Sequence, residues 1–177
     1  MLIDDATADD LPAILAITNA VIAETNAIWR DTPTDLAERE AWWRDRVEAG
    51  FPVLVARDGG VLGFASYGPF RLGDGYRFTV EHSVHVAGAA RGRGVGTALL
   101  EALIARAQSA GLRMMVAGID AEAHASLRLH ARLGFVEVGQ LAGVGRKGGA
   151  WRDLVFLQKR LATGAQKAGG SEPAPGP

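Results

Sequence analysis

The chain has 177 residues, of which 48% are hydrophobic and 22% are charged, a composition that is ordinary for one globular domain. Its formal net charge of -1 gives no electrostatic basis for binding nucleic acid or an anionic membrane, and no apolar run reaches the roughly 20 residues that span a bilayer. The absence of cysteine excludes disulfides, thiolate metal sites and a cysteine acyl-enzyme, and the acidic start is unlike a secretion signal. We expect a cytoplasmic protein with a single domain over residues 1–161 that forms a homodimer.

The first half of the chain predicts two helices between strands. Thr7 and Asp10 have the spacing of a capping box, and an apolar stripe from Leu11 to Ile22 recurs every three or four residues, as on one face of a helix. A glycine-containing connection over 58–60 is typical of a hairpin. The predicted elements are a strand over 1–6, this first helix, a helix over 34–49, and strands over 51–57 and 61–67.

Two segments in this half carry candidate ligand contacts. Residues 25–31 interrupt the helical pattern, and Ile28 and Trp29 within them are either packing residues or the wall of a substrate pocket. Arg71 lies in a glycine-rich loop and Arg77 just after it. The two guanidinium groups either clamp a carboxylate, because each matches two oxygens at once, or are solvated.

The stretch RGRGVG at residues 91–96 lies between a predicted strand and a predicted helix. Residues 77–86 alternate between apolar and polar, which indicates a strand with one polar face, and an apolar stripe over 95–107 predicts the helix. A glycine-rich turn at a helix N-terminus directs N–H groups outward and suits a phosphate or pyrophosphate. Arg91 and Arg93 add positive charge to this predicted anion site.

The second half predicts two more strand and helix pairs and a tail. Because strands and helices alternate, the chain predicts an α/β or α+β fold with a mixed sheet and helices on both faces. Glycines at 143–149 predict a mobile loop that includes Lys147. The predicted elements are a strand over 113–119, a helix over 122–133, strands over 135–139 and 151–161, and a disordered tail over 162–177.

The glycine turn fits the pattern Arg-x-x-Gly-x-Gly, and neither the Walker spacing nor the dinucleotide-binding spacing is complete. At this turn the sequence resembles the GNAT-type N-acetyltransferases. Five collinear blocks, TVEHSVHV, RGRGVG, MVAGIDAE, LRLHARLGF and WRDLVFLQ, are very similar to the phosphinothricin and methionine sulfoximine acetyltransferase branch. The resemblance implies a mostly antiparallel seven-stranded sheet with splayed central strands, and acetyl-CoA as the cosubstrate.

The resemblance also assigns the cofactor to the turn and to the strand before it. Backbone N–H groups of residues 92–97 would hold the pyrophosphate, and Val84 and Val86 would pair with the pantetheine arm as if it were an added strand. The expected cofactor residues are Val84, His85, Val86, Arg91, Gly92, Arg93, Gly94, Val95, Gly96, Thr97 and Ser126.

By resemblance, Glu81 is the general base. An amine arrives as an ammonium ion and must lose a proton before it attacks the thioester. With no cysteine in the chain, direct transfer in a ternary complex is the economical mechanism. His130 is a candidate acid toward sulfur, a hydrogen-bond partner of the cofactor, or a packed histidine. Because His82 and His85 fall on opposite strand faces, we expect no metal site.

The acceptor that the resemblance suggests is a small L-amino acid analogue such as methionine sulfoximine, methionine sulfone or phosphinothricin. Its carboxylate would be met by Arg71, Arg77 or Lys147, with Ile28 and Trp29 around its side chain. Two rival functions remain open. A non-catalytic CoA-binding regulator would lack a base, and an enzyme that acetylates protein lysines would favour an acidic groove.

The chain departs from the family pattern near Ser126. Where an asparagine commonly stands three residues earlier, this chain has Ala123 followed by His124. An amide contact to the cofactor is therefore missing or is supplied by His124.

Overall fold

Seven strands and four α-helices make up the part of the chain that the computed structural model describes, residues 1–162. Most of the predicted tail, residues 163–177, lies outside the described residues. The elements are β1 (Leu2–Asp5), α1 (Leu11–Glu24), α2 (Leu36–Glu48), β2 (Val53–Arg57), β3 (Val61–Pro69), β4 (Thr79–Val86), α3 (Val95–Ser109), β5 (Met114–Asp120), α4 (His124–Arg132), β6 (Val136–Lys147) and β7 (Ala150–Arg160).

The strands form one sheet in the order β1-β2-β3-β4-β5-β7-β6. All neighbouring pairs are antiparallel except β4 and β5, which are parallel. This parallel ladder covers only Thr79 to Glu81 of β4, although β4 continues to Val86. The strands separate beyond Glu81, which confirms the predicted mixed sheet with splayed central strands.

The helices cover both faces of the sheet, as predicted. On one face α3 inserts the expected apolar stripe, and Leu99, Leu100 and Leu103 are completely buried there. Each of these leucines contributes about 1.5–3 kcal/mol through burial. On the other face α1 packs with Val53, Val55 and Phe64 of the sheet, and α2 adds its two tryptophans at the edge of this second cluster. We call these surfaces the α3 face and the α1–α2 face.

Strand β4 keeps its side-chain alternation without interruption. Its register against β3 runs from Val86 opposite Gly63 to Val80 opposite Pro69 with no bulge. Val80, Val84 and Val86 therefore belong to the α3 face, while Glu81 and His85 point to the α1–α2 face. The predicted strand start at Arg77 was two residues too early, because a 3₁₀ turn over Asp74–Tyr76 precedes β4.

The C-terminal hairpin corrects one prediction. The glycine-rich segment expected as a mobile loop is strand, since β6 extends to Lys147 and pairs with β7 up to Ala150. Two register irregularities in β6 accommodate its glycines, and the Gly143 N–H donates to Asp153 Oδ1 at 2.8 Å. Cross-strand hydrogen bonds thus outweigh the weak strand propensity of glycine.

Candidate active site

The separation of β4 from β5 leaves backbone groups open in the middle of the sheet. The Ala87 N–H donates to Leu62 O at 2.9 Å, so odd-numbered residues of β4 bond to β3. By the alternation of an antiparallel ladder, the N–H and C=O groups of Val84 and Val86 face the gap instead. This edge can accept an extended ligand as an additional strand.

The glycine turn presents further open N–H groups at the start of α3. Gly92 and Gly94 adopt φ values of 75° and 81°, in the left-handed region that favours glycine, and Gly94 is the N-cap. The first helical hydrogen bond runs from the Ala98 N–H to Gly94 O at 3.0 Å. The N–H groups of the turn before Ala98 have no intrahelical acceptor, and the helix dipole adds positive charge there. The turn is therefore suited to a phosphate.

A cleft of about 870 Å³ joins the open edge of β4 to this turn and to α4. It brings together eleven of the thirteen residues that the sequence assigned to catalysis or to the cofactor. These are Val84, His85, Val86, Arg91, Gly92, Gly94, Val95, Gly96, Thr97, Ser126 and His130. The other two do not line the cleft: Arg93 lies 3.9 Å from Asp58, and Glu81 points to the α1–α2 face.

Sequence reasoning missed part of the cleft wall. Val21 and Thr25 at the end of α1 line it, and so does Arg128 on α4. His124, which the sequence offered as a contact to the cofactor, also lines it. Arg128 lies four residues after His124 on α4, so the two share a helical face, and this spacing gave a usable signal for Arg128. No local pattern predicts that the end of α1 reaches the splayed strands, because this contact depends on how the helices pack.

Glu81 is half-buried where β4 leaves β5. Its Oε1 lies 3.1 Å from the position that a Cβ on Gly118 would occupy, so the absence of a side chain at 118 makes room for the carboxylate. Burial raises the pKa of Glu81, and the charge of nearby Arg71 opposes that rise. A carboxylate with a raised pKa in a partly closed site is a stronger base than a solvated one.

His130 and His82 form a buried stacked pair on the α3 face. Their ring centroids are 5.1 Å apart at an interplanar angle of 18°, and Phe135 packs against both rings. Nδ1 of His130 lies 2.7 Å from Ser126 O, so it carries the proton and donates to that carbonyl, which leaves Nε2 as an acceptor. Burial lowers the pKa of His130, and burial together with repulsion from His130 and His85 lowers the pKa of His82 to about 3.

The residues predicted to hold an acceptor have varied surroundings. Trp29 donates its indole N–H to Asp120 Oδ2 at 3.0 Å, and Ile28 packs against the α1–α2 core. Arg77 donates to Asp74 O at 2.8 Å. Of the three predicted cations, Arg71 is the one whose charge acts on Glu81.

Lys147 is held by the chain itself. Its Nζ donates to Ile22 O at 2.8 Å and to Arg30 O, and it lies 3.8 Å from Asp31. These contacts fasten β6 to the segment after α1 and occupy the ammonium. Of the three alternatives predicted to meet the acceptor carboxylate, Lys147 is therefore engaged by the chain itself.

Asp120, at the end of β5, is a buried residue that the sequence analysis missed. It accepts hydrogen bonds from Arg152 Nε at 2.8 Å and Arg152 Nη2 at 2.7 Å, from the Glu122 N–H at 2.9 Å and from Trp29. Burial raises the pKa of Asp120, but these hydrogen bonds outweigh burial and the pKa is lowered. Asp120 thus fixes the indole of Trp29 against the sheet.

No helix among the described residues is long and apolar enough to cross a membrane. Within residues 1–162 no group of three or more His, Cys, Asp or Glu side chains is placed to hold a metal ion.

The departure from the family pattern is visible in α4, where Ala123 is the N-cap without a side-chain cap and exposed His124 lines the cleft.

Comparisons with known proteins agree with this arrangement. The model of the acetyltransferase (GNAT) family matches residues 14–135. The chain is 53% identical over 161 residues to L-methionine sulfoximine/L-methionine sulfone acetyltransferase of Pseudomonas aeruginosa, covering 90% of this chain and 94% of that protein.

Two solved structures superpose closely. The ribosomal-protein-alanine N-acetyltransferase from Brucella melitensis has a TM-score of 0.89 at 50% identity and covers 91% of this chain and all of that one (100%). A GNAT superfamily phosphinothricin acetyltransferase from Sinorhizobium meliloti, in complex with AcCoA, has a TM-score of 0.89 at 35% identity and covers 99% of this chain and 94% of that one. The family match, the identity over most of the chain and the shared fold show that the chain is an N-acetyltransferase of the GNAT family.

Proposed function

We propose that the enzyme transfers the acetyl group of acetyl-CoA directly to the α-amino group of a small L-amino acid analogue of the methionine sulfoximine, methionine sulfone or phosphinothricin type. The observation that carries this proposal is the position of Glu81. Its carboxylate lies on the α1–α2 face at the last residue of β4 that pairs with β5, three residues before Val84, from which β4 lines the cleft toward the open turn. The names of the relatives above support this substrate class.

The residues of the cleft fit acetyl-CoA. The open N–H groups between Gly92 and Thr97 suit its pyrophosphate, and the free edge of β4 suits its pantetheine amides. His130 Nε2 is a buried acceptor that has no hydrogen-bond partner among the described residues. Bound acetyl-CoA supplies a thioester whose carbonyl carbon is open to attack by an amine. The chain then has to supply a base and to orient the acceptor.

Glu81 performs the first task. It takes a proton from the incoming ammonium, directly or through one water, and so exposes the nitrogen lone pair for attack. The amine attacks the thioester carbonyl carbon in a ternary complex: the C–N bond forms, the C–S bond breaks, and CoA leaves as a thiolate that takes up the second proton lost by the nitrogen. No acyl group passes through the protein. Mass spectrometry of the enzyme during turnover is expected to find no acetylated side chain.

We assign His130 a hydrogen-bonding role toward the cofactor. Its lowered pKa keeps the imidazole neutral near pH 7, and its Nδ1 proton is committed to Ser126 O. Neutral His130 has no proton on Nε2 to give to a thiolate. Its buried Nε2 instead accepts a hydrogen bond in the cleft.

We also propose that the enzyme is a cytoplasmic homodimer without nucleic-acid or membrane partners. The hairpin of β6 and β7 supports the dimer, because it exposes an unusual number of large apolar side chains. These are Val136, Val138, Leu141, Val144 and Trp151, with exposed fractions between 45% and 71%. Sedimentation velocity at micromolar concentration tests the assembly.

The function is tested with Glu81→Gln and a panel of acceptors, with thiol release followed across pH. We expect wild-type turnover of methionine sulfone and a drop in kcat/KM of about 10²–10⁴-fold in the variant. Because burial raises the pKa of Glu81, the acid limb of the wild-type profile should lie above that of an exposed glutamate. The matched control is Glu101→Gln, on the exposed side of α3.

Two results would contradict this proposal. Wild-type activity in Glu81→Gln would remove the general base. Turnover of an N-terminal alanine peptide together with no turnover of free amino acid analogues would favour a protein acceptor, as the name of the Brucella relative indicates for that enzyme.

A further inference from the structure

Two arginines of α2 have no role in the account above. The guanidinium carbons of Arg39 and Arg46 lie 4.8 and 4.9 Å from the ring centroid of Trp42. Trp42 itself packs edge-on against Phe64 of β3, with centroids 6.0 Å apart. This side of α2 therefore points toward the α1–α2 face of the sheet, the same face that carries Glu81.

Both arginines bury a donor that has no protein acceptor. The Nε atoms of Arg39 and Arg46 are inaccessible, and within residues 1–162 neither has a hydrogen-bond partner. The neighbouring acid Glu38 is held by Arg30 and Thr34. Burial is the largest cause that lowers the pKa of both guanidinium groups. A half-buried cation of this kind would be stabilised by an anion from outside the chain.

The two guanidinium groups lie along the stretch of β4 that contains the general base. Arg46 Nη2 is 3.4 Å from the position that a Cβ on Gly68 would take, and Gly68 is the cross-strand partner of Glu81. Burial lowers the pKa of His85, four residues farther along β4, to about 4, and the charge of Arg39 adds to this shift. Paired residues of adjacent strands are about 5.5 Å apart, so the anion site adjoins the site of the amine.

We propose that Arg39 and Arg46 bind the α-carboxylate of the acceptor while Glu81 faces its α-amino group. This inference rests on the proposed function and names the group that selects the substrate. In an α-amino acid the nitrogen and the carboxylate carbon share one atom and lie about 2.5 Å apart, so one small molecule reaches both positions. Methionine sulfone has no charge on its side chain, which leaves the α-carboxylate as the anion that such acceptors share.

The pairing of two guanidinium groups suits a carboxylate better than the dispersed cations expected from the sequence. Each guanidinium can donate two parallel hydrogen bonds to carboxylate oxygens, and both are held in place by the face of Trp42. Burial lowers the pKa of Arg46, and the charge of Arg39 lowers it further, so one anion would favour both cations. Arg71, which is exposed and acts on Glu81, retains a role in setting the basicity of the carboxylate.

The test combines enzyme variants with a substrate pair. Wild type, Arg39→Gln and Arg46→Gln are assayed with methionine sulfone and with its α-carboxamide, which keeps the amine but removes the negative charge. We expect each variant to lower kcat/KM for the acid about 10- to 100-fold, mainly through KM, and to leave the carboxamide within about 3-fold of wild type. Arg44→Gln, at an exposed position on the same helix, is the matched control.

The outcomes separate this inference from the proposed function. If wild type acetylates the acid and both glutamine variants keep the wild-type preference for it, the inference is wrong and the function stands. If Arg71→Gln alone loses the preference for the acid over the carboxamide, the carboxylate binds at the loop before β4 and the inference is wrong. Failure of wild type to acetylate either compound would overturn both proposals. Melting temperature and CoA binding establish that each variant is folded, and Arg46→Lys replaces Arg46→Gln if the latter is not.

Discussion

The buried histidine pair predicts a specific dependence of stability on pH. His82 has a folded-state pKa of about 3, whereas an unfolded histidine has a pKa of about 6.5. The folded pKa is the lower one, so the unfolded state binds the proton first as the pH falls. The contribution of neutral His82 is fully present above pH 6.5 and is lost progressively between pH 6.5 and pH 3.

The magnitude follows from this difference. From pH 7 to pH 5 the unfolded state gains about 2 kcal/mol from protonation of residue 82, while the folded state gains almost nothing. For a protein of this size, about 2 kcal/mol corresponds to roughly 4–8 °C in Tm. In His82→Phe the aromatic stacking on His130 and Phe135 is retained and the titrating group is removed. The variant should therefore lose less stability on acidification than wild type by about this amount.

The assay is urea unfolding at pH 7, 6 and 5, followed by tryptophan fluorescence. The control is His124→Gln, which removes an exposed imidazole from α4 without altering the core. The reasoning fails if the free energy of unfolding of His82→Phe falls between pH 7 and pH 5 as steeply as that of wild type.

Two further predictions concern the acceptor side of the sheet. A Cβ on Gly145 would lie 2.1 Å from Trp29 Cε3. Gly145→Ala should therefore displace the indole and raise KM for the acceptor several-fold, with little change in KM for acetyl-CoA. The control is Gly139→Ala, in the same strand with open space around it. Equal effects of the two alanines would show that Trp29 does not contact the acceptor. Asp120→Asn removes the carboxylate charge that Arg152 and Trp29 contact, while Arg152 keeps its ion pair with Glu122. Chemical denaturation should show a loss of about 1–3 kcal/mol. A loss below about 1 kcal/mol would mean that the network around Asp120 relaxes freely.

The sequence predicted those features of the fold that depend on local patterns. The alternation in β4 placed Glu81 and His82 on opposite faces, and the apolar stripe of α3 identified the residues that are buried. The hairpin of β6 was mispredicted because strand pairing between distant residues overrides the local preference of glycine. Seven strands in the correct order along the chain followed from these patterns together with the family resemblance.

The sequence indicated those parts of the candidate site that are formed by consecutive backbone groups. It did not indicate the parts that depend on which side chains and carbonyls become partners in the fold. The glycine turn and the β4 edge are encoded in consecutive residues, so their spacing sufficed. A lysine that binds a ligand and a lysine that bonds to the chain's own carbonyls carry the same charge, so the residue type does not distinguish the two roles of Lys147. Nothing near Lys147 in the sequence indicates that two carbonyls 117 and 125 positions away would bind its ammonium. Arg39 and Arg46 give no local signal of a ligand either, because charged residues on a helix usually form its solvated face.

The free edge of β4 has a consequence for how this enzyme can diverge. Main-chain N–H and C=O groups are the same at every position, so a mutation that replaces the side chain of Val84 or Val86 with another apolar one leaves the edge intact. The groups proposed to select the acceptor are side chains on the opposite surface, and a single nucleotide change can alter each of them. Duplicated copies of such a gene can therefore drift to new amines while keeping the same acyl donor.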